Sequence, residues 1–112
     1  GIGAYASFNN TSGYQNTAVG RSSQYTNTIG FYNTSVGAFS LQFNVSGDYN
    51  VAIGRSSLRS NLADFNTAVG AECLFSNTSG YQNTAVGRGS MYNNTTGYYN
   101  TSLGFYSLYE NW

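Results

Sequence analysis

The sequence has no histidine, no lysine and no proline, and its one cysteine is Cys73. Without histidine, neither a Ser-His nor a Cys-His nucleophile pair can form. A lone cysteine excludes an internal disulfide framework. Charge is scarce as well: four arginines balance two aspartates and two glutamates, for a net charge of zero. Such a chain has no electrostatic footprint for nucleic acid or for an anionic membrane. No apolar run approaches the roughly 20 residues needed to span a bilayer, so no membrane insertion is expected. At 112 residues the chain is at most one domain.

What is present is a phrase. Asn16-Thr17-Ala18-Val19-Gly20 returns as Asn33-Thr34-Ser35-Val36-Gly37, Asn50-Val51-Ala52-Ile53-Gly54 and Asn66-Thr67-Ala68-Val69-Gly70. It returns again as Asn83-Thr84-Ala85-Val86-Gly87 and Asn100-Thr101-Ser102-Leu103-Gly104. The chain opens in mid-repeat at Gly1-Ile2-Gly3, which reads as a mature segment or a piece of a longer fibre. The glycines closing each copy are Gly3, Gly20, Gly37, Gly54, Gly70, Gly87 and Gly104, spaced 17, 17, 17, 16, 17 and 17 residues apart. That period is too short for a helical-hairpin repeat and fits one coil of a β-solenoid. Gly, Asn, Thr, Ser and Tyr also dominate the repeat, without a sustained 3.6-residue apolar pattern. Disorder is not expected, because eighteen Tyr and Phe recur at fixed places.

Aligning the coils gives columns. Val19, Val36, Ile53, Val69, Val86 and Leu103 form one. Gln24, Leu41, Leu58, Leu74, Met91 and Leu108 form another. Both are expected to point inward. Two unbroken asparagine columns hold Asn10, Asn27, Asn44, Asn61, Asn77, Asn94 and Asn111, and Asn16, Asn33, Asn50, Asn66, Asn83 and Asn100. In coils stacked about 4.8 Å apart, identical Asn side chains can form amide ladders, and Asn tolerates the left-handed backbone of a sharp corner. Two strands per coil are expected, one over Thr-Ala-Val and one centred on the Ser-Leu pair, as in Ser40-Leu41. A second corner is expected at Gly13, Gly30, Gly47, Gly80 and Gly97. The coil from Gly54 to Gly70 has lost one residue in Asn61-Leu62-Ala63-Asp64-Phe65-Asn66, and the columns resume at Asn66, so the strands should dominate register. Arg21, Arg55 and Arg88 alternate with Ala38 and Ala71 one residue after the glycines. Skipping a rung separates like charges, and Glu72 could sit between Arg55 and Arg88.

The always-small column Ala18, Ser35, Ala52, Ala68, Ala85 and Ser102 should face opposite to Val by strand alternation. Facing outward, it would let another backbone pack close. Aromatic columns, with Phe8, Tyr25, Phe75, Tyr92 and Tyr109 in one and Tyr32, Tyr49, Phe65 and Tyr99 in the other, add surface that a monomer would leave wet. These features predict association with copies of itself as a homotrimer around the solenoid axis. A monomer with a tyrosine-rich face is the other reading. The predicted fold class is all-β: a repetitive parallel β-solenoid, or β-roll, with 16–17 residue coils over 1–112, assembled as an intertwined or side-by-side homotrimer.

Asn50-Val51-Ala52-Ile53-Gly54-Arg55-Ser56-Ser57 resembles the head repeat of trimeric autotransporter adhesins, whose heads are trimeric left-handed parallel β-rolls. The longer form, from Asn83-Thr84-Ala85-Val86-Gly87 through Asn94-Thr95-Thr96-Gly97, is similar to repeats in phage and viral tail-fibre proteins. The resemblance spans essentially the whole chain, here at the longer period of 16–17 residues. It implies a fibrous object at the cell surface, outside the cell or on a virion, adhering to a surface. The motif is structural in that family and carries no binding residues across.

Candidate sites are few, and the sequence reads as no enzyme and implies no cofactor. Glu72 and Glu110 lie in different columns, so the paired carboxylates of glycoside hydrolysis are missing. Cys73 stands in the column Ser23, Ser40, Ser57, Ser90 and Ser107 and reads as a Ser-sized replacement. Asp48 and Asp64 precede ladder asparagines in adjacent coils and are weak candidates to share a Ca²⁺; two turn-forming aspartates are the plainer account. Tyr25, Tyr32, Tyr49, Phe65, Phe75, Tyr92, Tyr99 and Tyr109 could stack on host or surface glycans or pack between chains. The Thr column Thr17, Thr34, Thr67, Thr84 and Thr101 invites an ice-binding reading, but Val51 interrupts it and no Thr-x-Thr array exists. Asn-x-Ser/Thr acceptors at Asn9, Asn10, Asn33, Asn44, Asn77, Asn93, Asn94 and Asn100 arise automatically from the repeat. The expected function is a structural fibre segment for surface attachment. A glycan-binding module with a tyrosine-rich face and a self-assembling extracellular filament are the alternatives.

Overall fold

Each copy of the phrase forms one three-residue strand, and the strands stack in sequence order. The structure, a computed structural model, describes residues 1–110. Its strands are β1 (Thr17–Val19), β2 (Thr34–Val36), β3 (Val51–Ile53), β4 (Thr67–Val69), β5 (Thr84–Val86) and β6 (Thr101–Leu103). They form one parallel sheet in the order β1-β2-β3-β4-β5-β6, and an isolated bridge between Ile2 and Val19 continues the stack at its start. No helix is present among the described residues. The chain is therefore a parallel β-solenoid, 34 Å by 20 Å by 16 Å in extent.

Register follows the columns. Thr17 pairs with Thr34, Ala18 with Ser35 and Val19 with Val36. Across the shortened coil Val51 still pairs with Thr67 and Ala52 with Ala68, so the missing residue is absorbed in the turn. Ala63 there takes over from the corner glycine: its carbonyl accepts from Asn61 Nδ2 (2.7 Å) and Asn50 Nδ2 (2.8 Å). In the preceding rung the Gly47 carbonyl plays that part, for Asn44 and Asn33.

The strand faces are the reverse of the expectation. Ala18, Ser35, Ala52, Ala68, Ala85 and Ser102 are the buried residues, and Val36, Val69 and Leu103 are exposed. The reason is the thinness of the coil. Leu41, Leu58, Leu74 and Met91 enter from the opposite wall and are fully buried, each worth about 1.5–3 kcal/mol. They fill the space between the walls, so the strand can offer only Ala or Ser against them. The argument for a trimer from an outward small column therefore loses its premise. Towards the N-terminal end this core turns polar. Gln24 occupies the leucine position, its Nε2 donating to Ser35 Oγ (2.9 Å) and to the Thr17 carbonyl (2.8 Å), while its buried Oε1 has no partner.

The Ser-Leu segment is not a second strand. It is a turn in which alternate residues take positive φ: Phe39 at 63° and Leu41 at 48°, Ser56 at 58° and Leu58 at 49°. Left-handed backbone costs a non-glycine residue roughly 1–2 kcal/mol. The alternation instead sends successive N–H groups to the two neighbouring rungs. Ser56 N–H donates to the Ala38 carbonyl (2.9 Å) and Leu58 N–H to the Cys73 carbonyl (2.9 Å). No asparagine is among the nineteen non-glycine residues with positive φ; the residue before each Asn of the second column is, as at Tyr32, Tyr49 and Phe65.

The two asparagine columns do different work. In the first, amides bond directly: Asn44 Nδ2 donates to Asn27 Oδ1 (3.1 Å), Asn77 to Asn61 (2.8 Å) and Asn94 to Asn77 (2.8 Å). In the second, each Oδ1 accepts the backbone N–H of the next Asn, as from Asn50 to Asn33 (2.9 Å) and Asn66 to Asn50 (2.9 Å). Amide-to-amide bonds from rung to rung thus occur in the first column, whereas the second column pairs Oδ1 with backbone N–H. Asn111, the last expected member of the first column, lies outside the described residues. Gly70 at the end of β4 has φ +133°, and a Cβ there would stand 2.7 Å from the Gly87 carbonyl carbon. Only glycine meets both conditions.

Candidate functional site

With the interior committed to stacking, any residue-specific function lies on the outer columns. Aromatic side chains dominate them, and they stack from rung to rung. Tyr32, Tyr49 and Phe65 form a continuous stack, with centroids 4.9 Å and 5.1 Å apart. Phe75, Tyr92 and Tyr109 form another, at 4.8 Å and 5.1 Å. Tyr25 stacks on Phe8 at 5.5 Å, and Tyr99 meets Tyr98 edge-on at 5.4 Å. The eight aromatics named from sequence therefore fall in three separate stacks, with Tyr99 apart in an edge-on contact, and not in one continuous stack. Another column went unnoticed: Tyr14 stacks on Phe31 (5.0 Å) and Tyr81 on Tyr98 (5.1 Å). The 17-residue period could have found it, because these residues stand two before the second-column asparagines.

Asp48 and Asp64 interrupt that last column. Asp48 Oδ1 accepts the Phe31 N–H (3.0 Å), and Asp64 Oδ1 accepts the Asp48 N–H (2.9 Å). Each carboxylate thus secures the backbone of the preceding rung. No group of three or more Cys, Asp or Glu side chains gathers among the described residues.

The arginine alternation has a packing cause. Arg21 lies over the Phe39 ring of the next rung (5.9 Å), and Arg88 over Tyr106 (6.0 Å). Arg55 instead meets Glu72 of the next rung at 3.7 Å. Each arginine has a small residue beside it, Ser22, Ser56 or Gly89, while rungs bearing Ala38 or Ala71 carry the large Phe39 or Glu72. Arg and its large partner alternate together. Glu72 therefore pairs with Arg55, and Arg88 turns to an aromatic ring. The ion pair is exposed on the Arg55 side, at 67%, and such pairs contribute little.

A fourth arginine, Arg59, stands in the aromatic column. It lies over Phe43 (4.9 Å) and Phe75 (5.5 Å), and its Nε donates to Gln42 Oε1 (2.9 Å). Around it is a surface hollow of about 290 Å³ lined by Phe39, Gln42, Arg55, Ser56, Arg59 and Phe75. Sequence reasoning missed this site, because Gln42 and Arg59 read only as gaps in an aromatic column. Comparison with protein-family models, curated proteins and solved structures finds no match to this chain.

Cys73 is buried, and its Sγ donates to the Ala85 carbonyl (3.2 Å). Burial pushes the thiol up to about 12, a backbone hydrogen bond from Val69 pulling the other way. Ser57 makes the equivalent bond to the Ala68 carbonyl (3.2 Å). Among the Asn-x-Ser/Thr acceptors, Asn33, Asn44, Asn77 and Asn94 are buried, whereas Asn9 is exposed and Asn93 half-buried. No helix among the described residues is long and apolar enough to cross a membrane.

Proposed function

We propose that this chain is a structural segment of a fibre at the cell surface, outside the cell or on a virion, the head or shaft of an adhesin or tail fibre. We further propose that it works as a homotrimer. The observation that carries this reading is the outer face of the sheet. Its side chains are the Thr and Val columns, without a charge, and Val36, Val69 and Leu103 are 38%, 36% and 78% exposed. Contiguous exposed apolar surface of this kind marks an interaction site. A second copy of the chain is the partner whose columns repeat at the same one-rung spacing, so each Val row meets a matching row. Three such faces around one axis bury the columns symmetrically, in keeping with the assembly that the adhesin-head resemblance implies.

Light scattering after size exclusion tests this. The expected mass is about three times the 12.1 kDa of one chain. The variant Val36→Lys/Val69→Lys should reduce it to one chain while the circular dichroism spectrum is retained. A monomer across the whole concentration range would overturn the trimer. A polydisperse mass that survives the double variant would replace it with end-to-end stacking into a filament.

A further inference from the structure

We propose that the hollow around Arg59 binds a carboxylate-bearing sugar ring, such as a hexuronate unit of an acidic polysaccharide. This goes beyond the fibre reading and does not depend on the number of chains assembled.

The hollow exists because two adjacent rungs break the same aromatic column together. Arg55 and Arg59 fall in the same rung, between Gly54 and Gly70, the only one with two arginines. Gln42 and Arg59 replace the aromatics that Tyr25, Phe75 and Tyr92 supply elsewhere in that column. Ser56, 5% exposed, is too small to cover Phe39 of the preceding rung. Arg21 already lies over that ring from the rung before, so the side of Phe39 towards the hollow stays open.

Arg59 is held for recognition. Phe43 and Phe75 flank its guanidinium, and Gln42 accepts from Nε. These contacts fix the plane and leave the Nη edge to meet a ligand. No carboxylate lies within ion-pair distance of Arg59 among the described residues, because the one ion pair joins Arg55 and Glu72. A planar guanidinium fixed in this way suits a planar carboxylate, which it engages through two parallel hydrogen bonds. With two arginines and Glu72 beside them, the local charge is positive by one.

The rest of the lining selects a sugar. Phe39 offers an apolar ring face to the C–H face of a pyranose. The Gln42 amide and the Ser56 hydroxyl supply hydrogen-bonding groups for ring hydroxyls. Small-molecule sites combine such apolar walls with a few placed polar groups, over a volume of about 300–1,000 Å³. At about 290 Å³ the hollow takes one ring unit of a chain. It is open to solvent, so the flanking units of a polysaccharide can continue outside it.

The test is titration of the whole chain with trigalacturonate, followed by NMR shifts of the arginine Nε–H groups and by calorimetry. Galactotriose, acetate and inorganic phosphate are the controls. Trigalacturonate should bind and shift the Arg59 signal, and galactotriose should bind roughly 10- to 100-fold more weakly, having lost the charge-assisted pair. Arg59→Tyr restores the residue type of its own column, so it should keep the melting temperature and lose binding by a similar factor. Arg59→Lys keeps the charge without the planar fork and should recover only part of the affinity. Phe39→Ala should weaken trigalacturonate without affecting acetate. The proposal is overturned if galactotriose or acetate binds as well as trigalacturonate, or if phosphate does. It is equally overturned if Arg59→Tyr binds like the parent chain, or if no binding occurs at millimolar trigalacturonate.

Discussion

Asn77 is the place to test whether the amide ladder holds the solenoid together. Its side chain is fully buried. Nδ2 donates to Asn61 Oδ1 (2.8 Å) and to the Gly80 carbonyl (2.7 Å), and Oδ1 accepts from Asn94 Nδ2 (2.8 Å). Asn77→Ala removes all three bonds. The partners keep other contacts: Asn66 Nδ2 still reaches Asn61 Oδ1 and the Gly80 carbonyl, and Asn94 Nδ2 still reaches the Gly97 carbonyl. The cost is therefore the net value of three bonds, about 1 kcal/mol each, and not the larger penalty of stranded groups. A loss of about 3 kcal/mol follows, or roughly 12 °C in melting temperature for a chain of this size. Asn10 is the internal control. It is exposed, and its ladder contact with Asn27 is long, at 3.4 Å, so Asn10→Ala should cost under about 1 kcal/mol. Asn77→Asp should cost more than Asn77→Ala at neutral pH, because it sets a carboxylate against the Asn61 and Gly80 oxygens. Its folded carboxyl would then titrate above the unfolded one. Its stability would be highest at low pH and would fall as pH rises through the carboxylate range. Urea denaturation followed by circular dichroism measures all three variants. Equal losses for Asn77→Ala and Asn10→Ala would refute the ladder as a source of stability.

Two further outcomes follow from the rung geometry. Gly70→Ala meets both a left-handed φ of +133° and backbone at 2.7 Å, whereas Gly104→Ala meets φ +127° with its nearest neighbour at 3.7 Å; the first should cost several kcal/mol and the second about 1–3 kcal/mol from strain alone, and similar melting temperatures for the two would refute the close-approach argument. Cys73, with its thiol pushed up to about 12 from 9.0 by burial, should resist alkylation at pH 8 until the chain is unfolded, and because the unfolded thiol ionises first, its contribution should be intact below pH 9 and decline by up to about 1.4 kcal/mol per pH unit towards pH 12; a Cys73→Ser chain with the same alkaline stability profile would refute this.

The repeat made the architecture legible, and column assignment made the register legible, because a solenoid puts equivalent residues directly above one another. Orientation was not legible. Strand alternation correctly sets Ala18 opposite to Val19, but it does not say which of them faces in. Hydrophobicity favours Val, and the thin interior overrides it, since Leu41 and its equivalents already fill the space. The same limit applies to the asparagines. Their invariance signals a shared role in each rung, yet only the backbone path decides whether Asn77 bonds the next amide or Asn50 the next N–H. The left-handed positions were invisible for a related reason. Residues as different as Phe39, Ser56, Glu72 and Tyr106 occupy one such column, so the neighbouring rungs impose that conformation and side-chain preference does not. Of the candidate site, the aromatic columns could be read directly. The hollow could not, because it needs Gln42, Arg59 and Ser56 from two rungs seen together.

Several departures from the repeat gather in the middle rungs. Gln42, Asp48, Arg59, Asp64 and Glu72 all lie in the middle rungs, and the shortened turn at Ala63 is among them. Uniform stacking needs none of them, since the outer rungs stack with Tyr25, Phe31, Tyr81 and Tyr92 at equivalent places. Some of these departures have structural work: Asp48 and Asp64 secure the backbone of the preceding rung, and Glu72 stands where Arg55 needs a large partner. Gln42 and Arg59 are different. They replace two aromatic rings that would have stacked, forgoing about 0.5–1.5 kcal/mol per ring pair, and only part returns through the contacts of Arg59 with Phe43 and Phe75. Giving up stacking at that point is what opens the hollow. In a molecule whose stability comes from repetition, two adjacent rungs give up ring stacking at one point and the second of them gathers two arginines, so recognition fits the chain best there.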